Sequence, residues 1–284
     1  MREQLGSLLQ LANQRDGSGR YLFSGNMDDT EPVGQSGGIY AYNGDQGQRL
    51  IQIGESRQIA DGDPGSDVFF RVRNGNGTFA AMPGAANTGT GVMGAGSITD
   101  QTQYDQNLYT IRFLDPNNYE VVDAASAVVA IGTFESGDAI AFRGIQMSID
   151  GEPAAGDVFD VSPSTFTNIF AVIDDLAGAV GSSVNGGVSR AQMNNGINSG
   201  LLAIDQAIGN IIDTRTRVGS RLAAIESQED ANSATVLTLQ ETLGDIEDLD
   251  YAEAISRLSF QATTLEAAQK TFARTQSLSL FNFF

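Results

Sequence analysis

The sequence predicts an α+β protein: a long α-helical rod, packed in the manner of a coiled coil, with an all-β domain inserted into it. Three observations carry this. Apolar residues recur at alternating steps of four and three from about Ile197 to Ile246. The block from Val33 to Pro163 consists of short alternating runs separated by Gly, Asn, Asp and Pro. Helical periodicity brackets that block on both sides, so the β segment interrupts a helical frame.

The first element in chain order is a helix over residues 3–14, with Leu5, Leu8, Leu9 and Ala12 on one face, stopped by Asp16-Gly17 and Ser18-Gly19. Arg20–Gly25 reads as a short strand of a small hairpin, and residues 1–32 form the first section of the chain. Residues 33–163 form the inserted β domain. Its candidate strands are Ile39–Tyr42, Leu50–Ile53, Val68–Val72, Leu108–Leu114, Tyr119–Val122, Ala139–Phe142, Ile145–Ile149 and Val158–Val161. Asn74-Gly75, Asp115-Pro-Asn-Asn118 and Asp150-Gly151 are turn signals. The Gly/Ala/Thr-rich stretch from Met82 to Thr102 reads as a long surface loop.

Residues 164–250 form the rod section. Ser164 or Thr165 is placed to cap a helix carrying Phe166, Ile169, Phe170, Ile173, Leu176, Ala177 and Val180, stopped by Gly186-Gly187. The rod's seam then runs through Leu201, Ile204, Ile208, Ile211, Val218, Leu222 and Ile225, and on through Val236, Leu239, Leu243 and Ile246. Arg215, Glu229 and Asn232 break the seam, and its phase resumes after each break. One continuous helix over this stretch spans on the order of 80 Å. The opposite face is polar (Asp205, Asn210, Asp213, Arg217, Arg221, Glu226), which suits a bundle of two or three helices better than the core of an all-helical domain. Gly200, Gly209, Gly219 and Gly244 each cost about 1 kcal/mol relative to alanine, so packing along the seam has to hold the rod up. In residues 251–284 a last helix is capped by Asp250 with Glu253 at its third position. Its own seven-residue phase is Ile255, Leu258, Ala262, Leu265 and Phe272, ahead of an apolar tail that includes Leu280.

Composition narrows the function. The 16 basic and 35 acidic residues give a net charge of −19, which argues against a nucleic-acid partner. With no histidine and no cysteine, neither a Ser-His-Asp triad nor a Cys/His zinc site can be built. The sequence points to a non-enzyme without cofactor or metal. It holds no run of eighteen apolar residues, so no membrane insertion is expected.

Four motifs weaken on inspection. Asp61-Gly-Asp63-Pro-Gly-Ser-Asp67 alternates like a calcium loop, but Ser66 and Val72 stand where glycine and glutamate are required, so an acidic turn is the better reading. Gly89-Thr-Gly91-Val-Met-Gly94 spells a dinucleotide fingerprint with no βαβ unit around it. Asn76-Gly-Thr78 is a glycosylation sequon that a turn explains equally well. The alternating apolar tail ending in Phe284 hints at a last barrel strand, but long helices precede it.

Several stretches together resemble one family, the bacterial flagellar hook-associated proteins of the FlgL type, relatives of flagellin. They are Leu11-Ala-Asn-Gln-Arg-Asp-Gly and Gly19-Arg-Tyr-Leu-Phe-Ser-Gly25 near the start, then Gly47-Gln-Arg-Leu-Ile-Gln-Ile-Gly54 and Ala60-Asp-Gly-Asp-Pro-Gly-Ser-Asp67-Val-Phe. Gly144-Ile-Gln-Met, Gly156-Asp-Val-Phe, Arg215-Thr-Arg-Val-Gly-Ser-Arg-Leu222, Asp250-Tyr-Ala-Glu-Ala-Ile255, Gln269-Lys-Thr-Phe272 and Leu278-Ser-Leu-Phe281 follow in the family's order. The resemblance implies a flagellin-like rod with its β domain outward, and a structural subunit between hook and filament. The implied partners are copies of itself in a ring, the hook-side junction protein, flagellin and an export chaperone. It further implies an extracellular place in the flagellum, reached by type III export without a cleaved signal. Ile255, Leu258, Leu265, Phe272 and Leu280 would form the assembly and chaperone face. The family opens with a long helical segment that pairs with the C-terminal one, and this sequence is expected to start near the end of it. Flagellin itself, the hook-side junction protein, or a glycan-binding β domain on a helical stalk are the alternatives.

Overall fold

A computed structural model of the chain describes residues 1–184, 190–247 and 250–277. The chain divides into two compact units, Met1–Ala223 and Ala224–Phe284.

The first unit opens with α1 (Arg2–Ala12), which buries Leu5 and Ala12. The strand expected at Arg20–Gly25 is instead a set of turns with a single bridge, Arg15 to Tyr21. Asp16 explains this: its carboxylate accepts the N–H groups of Ser18 and Arg20, closing the backbone locally and leaving no ladder to extend. Two hairpins follow, β1 (Val33–Ser36) with β2 (Ile39–Tyr42), and β3 (Leu50–Gln52) with β4 (Gln58–Ala60). The first turns on Gly37-Gly38, whose φ angles of 59° and 83° suit a two-residue loop. Where a strand was expected over Val68–Val72, the chain forms the short helix α2 (Gly65–Phe69). Asp67 and Val68 both donate to the Pro64 carbonyl, which winds this turn and sends Val68 and Phe69 into one core; a strand would put them on opposite faces.

The remaining strands are β5 (Val72–Arg73), β6 (Phe79–Pro83), β7 (Val92–Met93), β8 (Ser97–Ile98), β9 (Tyr109–Asp115), β10 (Asn118–Asp123), β11 (Val128–Thr133), β12 (Ala139–Phe142), β13 (Ile145–Asp150), β14 (Val158–Pro163) and β15 (Phe166–Thr167). An antiparallel sheet in the order β11-β10-β9-β14-β6 shares one core with a second sheet built on β12, β13, β7 and β8. Period-two burial is clear in β9, where Tyr109, Ile111 and Phe113 face in, and in β13, where Ile145, Met147 and Ile149 do. The stretch from Met82 to Thr102 is not simply a surface loop. It contains the end of β6 and all of β7 and β8, and the last two pair with β13 and bring Met93 into the core.

The helix expected from Phe166 begins later. Phe166 and Thr167 pair with β5, and the cap of α3 (Ile169–Val184) is Asn168, whose side-chain oxygen accepts the Ala171 N–H at 2.7 Å. Ser164 is held elsewhere, its hydroxyl donating to the Asn74 carbonyl. Gly186-Gly187 lies outside the described residues. α3 packs Phe170 into a second core with α1, α2 and the first hairpin: Leu5, Ala12, Val33, Tyr40, Val68 and Phe69. Then comes α4 (Arg190–Glu247), 58 residues and so roughly 87 Å at 1.5 Å per residue. Its residues up to Ala223 belong to the first unit. The second unit holds the rest of α4 and α5 (Tyr251–Ser277).

Two tyrosines set an alkaline limit on the first unit. Burial pushes Tyr42 up to about 12; its hydroxyl donates to the carbonyls of Phe23 and Asp45. Burial and then the bond to the Asp105 carboxylate push Tyr109 up to about 12 as well. Both folded values lie above the ordinary 10, so the stability these groups contribute is complete below pH 10 and is lost as pH rises towards 12. Urea unfolding followed between pH 9 and 12 is expected to show a loss of roughly 1–3 kcal/mol per tyrosine, removed by Tyr42→Phe and Tyr109→Phe.

Candidate assembly surface

The seam residues on the first-unit part of α4 are placed together on one side of the helix, and all but Ile204 are left exposed. Leu201 is 54% exposed, Ile208 51%, Val218 41% and Leu222 56%; Ile211 is exposed and Ile204 half-buried. In the second unit Ile225, Val236, Leu239, Leu243 and Ile246 are exposed, as are Ile255, Leu258, Leu265 and Phe272 on α5, which buries no residue at all. Leu280 lies outside the described residues. Among the described residues most of this stripe is left exposed, and long exposed apolar stripes are a common feature of surfaces that meet a partner.

The polar face of α4 does not simply meet solvent, as a free-standing bundle would have it. Between Ala191 and Arg221 several of its side chains complete backbone groups of the β domain, while Asp205 and Asp213 stay exposed. Asn195, 3% exposed, accepts the Met93 N–H at 2.8 Å and donates to the Gly91 carbonyl at 2.9 Å. Asn198 donates to Met93 O, and Asn210 donates to both Asp67 O and Val68 O. Ala191, Gly200, Ala203 and Ala207 are the other residues buried along this part of α4, Gly200 against Leu176 of α3. At the far end Arg221 grips the Asp63 carboxylate bidentately, at 2.9 and 2.7 Å, while Arg217 stands 4.0 Å away and Gln48 donates from the other side. Two stretches far apart in sequence, Asp61–Asp67 and Arg215–Leu222, therefore meet.

These contacts also decide the other motifs. Asp61, Asp63 and Asp67 each pair with an arginine, and no group of three potential metal ligands occurs among the described residues. In the fingerprint-like stretch, the Gly89 N–H is bonded to the buried Asp157 carboxylate, which also takes the N–H groups of Thr88 and Ala154. The site a phosphate would need is thus filled by a carboxylate. The amide of Asn76 is engaged at both ends, accepting from Thr78 and Phe79 and donating to Gly96, so the sequon is a turn. No helix among the described residues is long and apolar enough to cross a membrane.

At the start of α5, Asp250 accepts the N–H groups of Ala252 and Glu253 at 2.9 and 3.1 Å. The reciprocal arm of the box is not made: Glu253 pairs with Arg257 instead. Asp250→Ala is expected to cost about 1 kcal/mol of helix stability; far-ultraviolet circular dichroism on heating would register it as earlier loss of helix. Unchanged helix melting would mean that the cap contributes nothing.

Residues 201–284, which hold the exposed seam and α5, match the bacterial flagellin C-terminal helical region. The chain is 25% identical over 274 residues to flagellar hook-associated protein 3 of Escherichia coli (strain K12) and 23% identical to that of Salmonella typhimurium, covering 96% of this chain in each case. It spans 61% of the length of these curated relatives. Among solved structures it is similar to hook-associated protein-3 from Legionella pneumophila, with TM-score 0.82, 32% identity, and coverage of 88% of this chain and 80% of that one. It is similar also to FlgL from Xanthomonas campestris, with TM-score 0.79, 33% identity, and coverage of 86% and 79%. At 32–33% identity over about four fifths of these solved relatives, the chain belongs to the FlgL family of flagellar hook-associated proteins.

Proposed function

We propose that the chain is a structural subunit of the bacterial flagellum, forming the junction between hook-side proteins and the flagellin filament. One observation carries this: a helix of 58 residues turns a heptad-spaced apolar stripe outward, in a chain whose family is flagellar. A surface of that kind is matched by other long helices, and a ring of subunits would supply them. The β domain over residues 33–163 would face outward. Copies of this chain would contact one another, the hook-side junction protein and flagellin. The exposed face of α5 (Ile255, Leu258, Leu265, Phe272) would be held by an export chaperone before assembly. The role is extracellular and structural rather than catalytic, and export would proceed without a cleaved signal.

The test is reconstitution with hook-side junction protein and flagellin from the same organism. Electron microscopy is expected to place the chain at the boundary between hook and filament, and the chain alone should not grow. Long filaments of the chain alone would assign it to the flagellins instead.

A further inference from the structure

We propose that Asp63, with Arg221 and Arg217, is a positioning device: it fixes the rotation of α4 about its own axis so that the apolar stripe stays turned away from the β domain and open to a partner. The purpose assigned to it rests on the assembly role above.

The two faces of α4 compete for the same body. The side that docks offers alanines and amides, whereas the side left out offers Leu201, Ile208, Ile211 and Leu222. Apolar burial is non-directional and scales with area, so taken alone it favours rolling the larger side chains inward. The opposing contacts are directional. Asn195 satisfies one N–H and one carbonyl, Asn210 satisfies two carbonyls, and Arg221 fits its planar fork to both oxygens of Asp63. The Asp63 side chain is only 5% exposed and Arg221 21%. Turning α4 by one residue would remove the guanidinium and leave a buried carboxylate with the Gln48 amide as its remaining side-chain partner. That loss is much larger than the loss of an exposed pair. Asn195 and Arg221 hold the two ends of the docked stretch, about 39 Å apart along the helix axis, so a roll has to break every bond between them. Arg221 also lies at the end of the first unit, after which α4 passes into the second.

The chain contains no cysteine, so a single introduced cysteine reports rotation without interference. Ala207→Cys sits on the docked side, 1% exposed, and Ile208→Cys on the open side, 51% exposed. Maleimide labelling rates at the two positions would be compared in the parent chain, in Asp63→Ala, and in Asp63→Ala/Arg221→Met. The double variant replaces the ion pair with an apolar contact and is expected to recover the thermal midpoint lost in the single variant. The ratio of labelling at 208 to labelling at 207 should nevertheless fall by roughly tenfold in both, the equivalent of one charged hydrogen bond, and joining of hook to filament should stay impaired. If the double variant regains both the parent labelling ratio and junction formation, Asp63 serves stability alone and the proposal is overturned. A fallen ratio combined with a parent chain that joins no hook to filament would overturn the assembly role and leave the rotational device standing.

Discussion

Leu222→Asp is expected to abolish junction formation while leaving the isolated chain folded. The side chain is 56% exposed, so a carboxylate there keeps its hydration and costs the single chain no more than about 0.5 kcal/mol. Once the stripe is packed against another helix the same carboxylate has to enter a dry seam. Burying it there without a partner costs several kcal/mol at each copy of the contact. The two readouts separate accordingly: an unchanged thermal midpoint for the purified chain, and no hook–filament junction by electron microscopy. Ile255→Asp, at a position 60% exposed on α5, should behave the same way, and Leu222→Met should be tolerated because it keeps volume and polarity. Normal joining by Leu222→Asp would mean that the stripe is not a packing seam.

The stripe was legible because a four-three repeat sustained over many turns has few other causes. What covers it was not, since periodicity marks which residues share a face and not the neighbour of that face. The polar side of α4 carried a signal that was easy to misread. Asn195, Asn198, Asn210, Arg217 and Arg221 fall on one face at helical spacing, which looks like a solvated surface until the backbone groups they complete are in place. The partner of Arg221 lies 158 residues away, a separation no local pattern reveals.

In the β domain, strands with strict alternation, such as β9 and β13, were readable. β11 was not: a bulge at Val121/Val122 shifts its pairing with β10, and its burial does not follow a period of two. The turn chemistry at Asp16 replaced a predicted strand and the cap at Asn168 moved a predicted helix start, because a short polar side chain bonding to nearby N–H groups overrides the apolar residues beside it. Conflict between local pattern and tertiary context is expected at surfaces made for a partner, and α4 shows it between Ala191 and Arg221.

Phe170→Ala is expected to cost the most stability, about 3–5 kcal/mol, a large share of the 5–15 kcal/mol typical of a folded domain. Phe170 is fully buried. Its ring stacks on Tyr40 with centroids 5.5 Å apart and lies 5.7 and 5.8 Å from Phe69 and Phe70. It joins α3 to the first hairpin and α2, in a core whose other members Leu5 and Ala12 come from α1. Removing the ring leaves a cavity where four elements meet, and the rigid strands and helices around it relax only in part. Phe170→Leu, which keeps most of the volume, should cost considerably less. The loss should also be local. The other core, built on Ile111, Phe113, Phe134, Ile149 and Phe159, shares no buried residue with this one. Hydrogen exchange in Phe170→Ala should therefore accelerate in α1, α3 and β1–β2 while β9, β13 and β14 keep their protection. Equal acceleration in both regions would show that the two cores open as one cooperative body. In that case the docked stretch of α4, bonded to Met93 at one end and to Asp63 at the other, is what couples them.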